Sequence, residues 1–135
     1  NSRQDQTYNT PALATIFLTA QTVNWFNDNG GLSWSAGRSA TSAEILYGWA
    51  DASDAASPFV QVESERSKVV ATIDFDEAID ADTLVEVLRK NGILDVGGYR
   101  KLGRNQLRIG MFPAIDPADT EALTACLDYC IQAMS

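Results

Sequence analysis

The chain has 135 residues, 45 % of them hydrophobic, and a formal net charge of −8. That length suits one compact core, and so acidic a balance argues against nucleic acid or anionic membrane as a partner, because both require broad basic faces. Histidine is absent, which removes the commonest general base, the usual catalytic triads and most zinc sites, so no metal is expected.

The polar start, Asn1 to Gln6, has no apolar stretch of the signal-peptide kind, and no run reaches membrane-spanning length. A soluble, cytoplasmic protein is expected. With no initiator Met, the chain has the look of a piece of something longer. Thr10-Pro11 suits a helix start, Thr10 as the cap and Pro11 in the first turn. Leu13, Ile16, Phe17, Ala20, Val23 and Phe26 follow at helical spacing, and Asn29-Gly30-Gly31 ends the run. A second helix is predicted over about residues 33 to 52, carrying Trp34, Ile45, Leu46 and Trp49, and residues 53 to 58 are predicted to turn.

Past Pro58 the period changes. Residues 59–62 and 69–75 are rich in branched and aromatic side chains, as expected of paired strands. Asp80 then caps a short helix with Leu84, Val87 and Leu88 inward, closed by Asn91-Gly92. A strand over residues 93–96, a glycine-rich basic turn, a strand over residues 106–112 and a helix opened by Asp116-Pro117 complete the order. The predicted fold class is α+β, a mainly antiparallel small sheet covered by helices on one face.

Three clusters carry candidate chemistry. Cys126 and Cys130 share an apolar face with Leu123, Leu127, Ile131 and Met134, and free thiols so placed act as small hydrophobes. Asp74, Asp76, Glu77, Asp80 and Asp82 crowd a strand-to-helix junction, where capping and solvation account for them. Arg100, Lys101, Arg104 and Arg108 place four of the ten positive charges within one turn and its returning strand. Either that turn is simply solvated, or its arginines grip a small anionic ligand bidentately. Gly97-Gly98 offers bare backbone, Gly103 permits unusual angles, and a charge inside the strand at Arg108 needs a partner.

The stretch from Asn91 to Ala114 resembles the substrate-binding segment of the phosphoserine aminotransferases. Tyr8-Asn9-Thr10-Pro11-Ala12 is similar to that family's Asn-Thr-Pro motif, and Asn29-Gly30-Gly31-Leu32 with Ile45-Leu46-Tyr47 falls where it has a connecting loop and helix. The resemblance implies a C-terminal small-domain fragment of a fold-type-I enzyme dependent on pyridoxal 5'-phosphate. Residues 1–31 would lead from the missing large domain, and residues 32–135 would be the small domain. The whole enzyme would exchange an amino group between glutamate and 3-phosphohydroxypyruvate, giving phosphoserine and 2-oxoglutarate in serine biosynthesis.

On this resemblance Arg108 clamps the substrate α-carboxylate, while Arg100, with Tyr99 beside it, meets the substrate phosphate or the distal carboxylate of glutamate. Asn9 and Thr10 reach the cofactor phosphate of the neighbouring subunit in a homodimer. Lys68, Lys90 and Lys101 match no Schiff-base position, so the fragment is expected to be inactive alone and to hold no catalytic residue. The chain departs from the family pattern where Tyr99 replaces a common His, where Met111-Phe112 replaces a more polar pair, and where the interval between Arg100 and Arg108 is longer than usual. Arg104 lies in that longer interval, either adding to the anion pocket or solvated. A reading of another class is a free-standing α+β ligand-binding or regulatory domain for an amino acid or a phosphorylated acid.

Overall fold

The computed structural model describes residues 2–99 and 101–134, in two compact units, Asn1–Ser35 and Ala36–Ser135. In the first unit a single turn of 3-10 helix at Ser2–Gln4 precedes α1, Leu13–Asp28. Helix α1 starts later than its sequence suggests, and Thr10 does not cap it. The Leu13 N–H donates to the Pro11 carbonyl at 2.9 Å, and Ala12 between them sits at φ −74°, ψ 73°, the geometry of an inverse γ-turn. That turn holds the chain out of helical geometry until Leu13, and Ala12 supplies no side-chain cap. None of the α1 residues is buried; Leu13, Ile16, Phe17 and Leu18 are all more than half exposed. After Asn29, Gly30 and Gly31 take positive φ of 110° and 68°, turning the chain into α2, Gly31–Ala52.

The second unit holds the rest of α2, a three-stranded sheet and two more helices. Strands β1 (Ala56–Pro58), β2 (Val70–Phe75) and β3 (Gln106–Gly110) lie in that order and pair antiparallel, with Ala56 opposite Phe75 and Thr72 opposite Arg108. Alternation along the strands sends Ala71, Ile73, Phe75, Leu107 and Ile109 to one face. There they join Leu46 of α2, Leu84 and Leu88 of α3 (Ala81–Lys90), and Leu123, Leu127 and Cys130 of α4 (Pro117–Met134) in one core. The α+β class and the antiparallel sheet are as the sequence predicts.

Two strands differ from expectation. The first forms at Ala56–Pro58 rather than residues 59–62; Pro58 is tolerated there because β1 is an edge strand. Residues 59–69 are a connection with one 3-10 turn at Glu63–Glu65, fastened to α2 by Arg66, which donates to both Asp51 carboxylate oxygens (2.6 and 3.0 Å) and to the Val60 carbonyl. No strand forms at residues 93–96, where Asp95 adopts φ 61° and interrupts extended backbone, leaving a single bridge from Gly97 to Leu107. On α3, Val87 points outward and Val85 packs against the core in its place.

Of the junction carboxylates Asp80 caps α3 as expected, whereas Asp74 is taken by Arg104 and Gln106; Asp116 plays a like part at α4. Asp80 accepts from the Asp82 N–H at 3.2 Å and from the Thr83 hydroxyl; Asp116 accepts from the Ala118 N–H at 3.0 Å and from Arg38 at 2.8 Å. The Thr83 hydroxyl, foremost, holds the Asp80 carboxyl below its ordinary 3.8, and the Ala118 N–H does the same for Asp116. A carboxyl with a depressed folded pKa stabilises the fold above its unfolded value and loses that contribution as pH falls through the folded one. Melting temperature should therefore drop in acid below about pH 4, and Asp80→Asn with Asp116→Asn should flatten that limb. Thermal melts across this range would show an unchanged acid limb in the double variant if the caps play no part.

Burial raises the Cys130 thiol pKa, with Cys126 adding to the shift, consistent with a packing role for this pair. Ser42 is 1 % exposed and its hydroxyl has no hydrogen-bond partner among the described residues. Ser42→Ala removes an unsatisfied buried group from a helix, so it should stabilise the fold by about 1 kcal/mol. A lower urea midpoint in the variant would mean the hydroxyl has found a partner.

Candidate functional site

The basic turn is suspended between an anchor on β3 and one on the chain joining β2 to α3. At its start, the Arg108 N–H donates to the Val96 carbonyl at 2.9 Å and Gly97 bridges Leu107. Gly98 then passes so close to β3 that a Cβ would lie 2.7 Å from the Gln106 carbonyl oxygen, so only glycine fits. The expected bare backbone is real, and it serves packing on β3. At the other end Gly103 takes φ 63°, and Asn105 fastens the return. Its amide oxygen accepts from the Ala81 N–H at 2.9 Å, and its amide nitrogen lies 3.2, 3.0 and 2.7 Å from the carbonyl oxygens of Phe75, Asp76 and Ile79. Between the anchors the Leu102 N–H donates to the Tyr99 carbonyl at 2.9 Å.

Arg108 points away from the core, on the sheet face opposite Leu107 and Ile109, and is exposed. Its guanidinium lies 5.8 Å from the centre of the Tyr99 ring. The expected partner is therefore an aromatic face; no ion pair to Arg108 forms among the described residues. Gly98, Tyr99, Lys101 and Arg108 together line a cavity of about 360 Å³. A cationic cleft of this size accepts a carboxylate or phosphate group. A neighbouring cavity of about 510 Å³ shares Gly98 and Tyr99 and is of mixed charge, lined by Asp80 and Asp82 as well as Arg104.

Arg100 lies outside the described residues. Asn9 and Thr10 belong to the first unit, where both are exposed ahead of α1. Arg104 stays about half exposed but is not simply solvated: it donates from Nε and Nη2 to the two Asp74 oxygens, at 3.2 and 2.6 Å, and stacks over the Phe59 ring at 4.8 Å. Gln106 adds a third donor to Asp74 at 2.8 Å. Sequence reasoning missed Phe59, Asp74 and Gln106 as supports of this turn. The available signal was the outward register of Asp74 on a strand whose alternate residues are apolar.

Fold and site define a small α+β domain that presents an arginine and a lysine beside a cavity of small-molecule dimensions. The chain is 56 % identical over 131 residues, 97 % of its length, to the phosphoserine aminotransferase of Rhodococcus jostii (strain RHA1). It is 55 % identical over 129 residues, 96 % of its length, to that of Corynebacterium glutamicum (strain R). It spans 35 % and 34 % of those two proteins, about a third of the curated relatives it matches. Among solved structures it matches a phosphoserine aminotransferase from Bacillus circulans subsp. alkalophilus with a TM-score of 0.86 at 22 % identity, covering 99 % of this chain and 37 % of that one. A second, studied for radiation damage of its Schiff base, matches with a TM-score of 0.81 at 20 % identity over 97 % of this chain and 36 % of that one. These structures establish the fold. No family model matches the chain. The chain is homologous to a segment of the phosphoserine aminotransferases.

Proposed function

We propose that this chain is the C-terminal small domain, residues 32–135, with the segment leading into it, residues 1–31, of a cytoplasmic phosphoserine aminotransferase. The enzyme would act as a homodimer in serine biosynthesis, exchanging an amino group between glutamate and 3-phosphohydroxypyruvate. The observation that carries this reading is Arg108, which projects from β3 beside the cavity without an ion-pair partner among the described residues.

Arg108 would hold the substrate α-carboxylate in a planar two-point grip, which fixes the direction of the α-carbon and spends binding energy on orientation. The Tyr99 ring lies to one side of that guanidinium, its centre 5.8 Å away. Lys101 adds positive charge to the same cavity. Arg100, placed by its sequence match, would meet the phosphate or the distal carboxylate of glutamate, so one cationic pocket serves both half-reactions. Titrating the chain with phosphoserine and following backbone amide shifts tests this: shifts centred on Tyr99, Lys101 and Arg108, lost in Arg108→Ala, are expected. No response to phosphoserine or to glutamate would overturn it.

Pyridoxal 5'-phosphate would supply the electron sink for the transfer. The head of α1 would suit its phosphate: Asn9 and Thr10 are exposed there, and although the Leu13 N–H is taken by the Pro11 carbonyl, no side chain caps the first-turn N–H groups that follow. The chain lacks a residue matching the family's Schiff-base lysine, and alone it should not transaminate; turnover by the isolated chain would contradict this.

Helix α1 bears on assembly. Leu13, Ile16, Phe17, Leu18 and Val23 are exposed along it, and apolar surface of that extent seeks a partner. The isolated chain should self-associate through α1. Light scattering that finds a monomer at high concentration would show that this helix needs no cover.

A further inference from the structure

Arg104 is held at two of its three guanidinium nitrogens and across one face, although its side chain is still 47 % exposed. Nε and Nη2 grip Asp74 side on, the plane lies over Phe59, and Gln106 orients Asp74 from below by donating to the same Oδ1. All of these partners belong to the sheet or are bonded to it. Asp74 lies on β2, Gln106 on β3, and the Phe59 N–H donates to the Thr72 carbonyl at 2.9 Å. Arg104 itself belongs to the turn. It follows Gly103, whose positive φ redirects the backbone just before the clasp.

We propose that Arg104 is a positioning residue, whose two-point clasp on Asp74 pins the turn carrying Tyr99 and Lys101 and so fixes the cationic cavity beside Arg108. The consequence for substrate rests on the proposed function; the pinning itself does not. Among the described residues of the turn, Tyr99 and residues 101–103, the one backbone hydrogen bond between two of them runs from Leu102 to Tyr99. Their order must come from the ends. Gly97 holds the first end by its bridge to Leu107, with Gly98 pressed close against the Gln106 carbonyl, and Arg104 with Asn105 holds the second. A lysine would keep the charge of Arg104 but lose the planar fork and the stack over Phe59, so the position asks for arginine geometry.

Amide hydrogen exchange and phosphoserine titration on the 135-residue chain test the clasp in four variants, Arg104→Ala, Arg104→Lys, Asp74→Ala and the Arg104→Ala/Asp74→Ala pair. Arg104→Ala should speed exchange at Leu102 by about tenfold and weaken phosphoserine binding by about three- to tenfold, with α4 amides unchanged. Asp74→Ala should do the same, and the pair should add little, because both sides of one interaction have gone. Arg104→Lys should resemble Arg104→Ala. Unchanged exchange at Leu102 in Arg104→Ala would overturn the proposal, as would a lysine variant that matches the original chain in both measurements. Faster exchange in a chain that never binds phosphoserine would leave the clasp standing and remove the proposed function.

Discussion

In a full-length enzyme of the proposed activity, Arg108→Ala is expected to lower kcat/KM for phosphoserine and for glutamate together, by roughly 30- to 1000-fold. That range corresponds to losing one fully engaged charged contact, roughly 2 to 4 kcal/mol of transition-state stabilisation. Both substrates would suffer because both present an α-carboxylate, and the Arg108 guanidinium that would receive it lies 5.8 Å from the centre of the Tyr99 ring. Arg100→Ala should separate the substrates, hurting phosphoserine most, since the phosphate is the group glutamate lacks. Steady-state kinetics on both variants decide the matter. Unaltered constants in Arg108→Ala would take that residue out of the site, and equal small losses in both variants would return the basic turn to a solvated surface feature.

Asn105→Ala should cost the fold about 2 to 3 kcal/mol. One side chain there satisfies the Ala81 N–H at the head of α3 and reaches three carbonyl oxygens of the chain between β2 and α3. Its removal leaves several partly buried backbone groups without partners at once. Asn105→Asp should not rescue it, because the amide nitrogen would be replaced by an oxygen facing three carbonyl oxygens. Urea unfolding gives the measurement. A loss below about 0.5 kcal/mol for the alanine variant would mean that water replaces the amide at no cost.

Much of the site was legible because it depends on local chemistry. Four cations in a short glycine-containing stretch mark a turn that could take an anion, and the resemblance of that stretch to a known substrate segment assigns Arg108 its role. Arg104 was not legible in the same way. By residue type it belongs with the other cations of the turn, but its charge is spent on Asp74, thirty positions earlier in the chain. A cation's availability depends on which carboxylate the antiparallel register delivers to it, and sequence distance carries no record of that.

The elements divide along the same line. Periodicity determined α2, α3 and α4, because apolar side chains recurring at helical spacing have one face to bury, and Asp80 and Asp116 mark two of the starts by cap chemistry that needs no distant partner. Strand β2 likewise follows from its alternation, buried at Ala71, Ile73 and Phe75. The tertiary structure alone decided where β2 finds its edge partner: Ala56–Pro58, a short segment with a proline, takes the place that the more strand-like residues 59–62 would fill. It also decided that residues 93–96 stay outside the sheet, where the left-handed backbone at Asp95 leaves Gly97 to make the single bridge. Helical spacing is fixed within a few residues of chain, whereas strand partnership and the pairing of charges are settled only when distant segments meet.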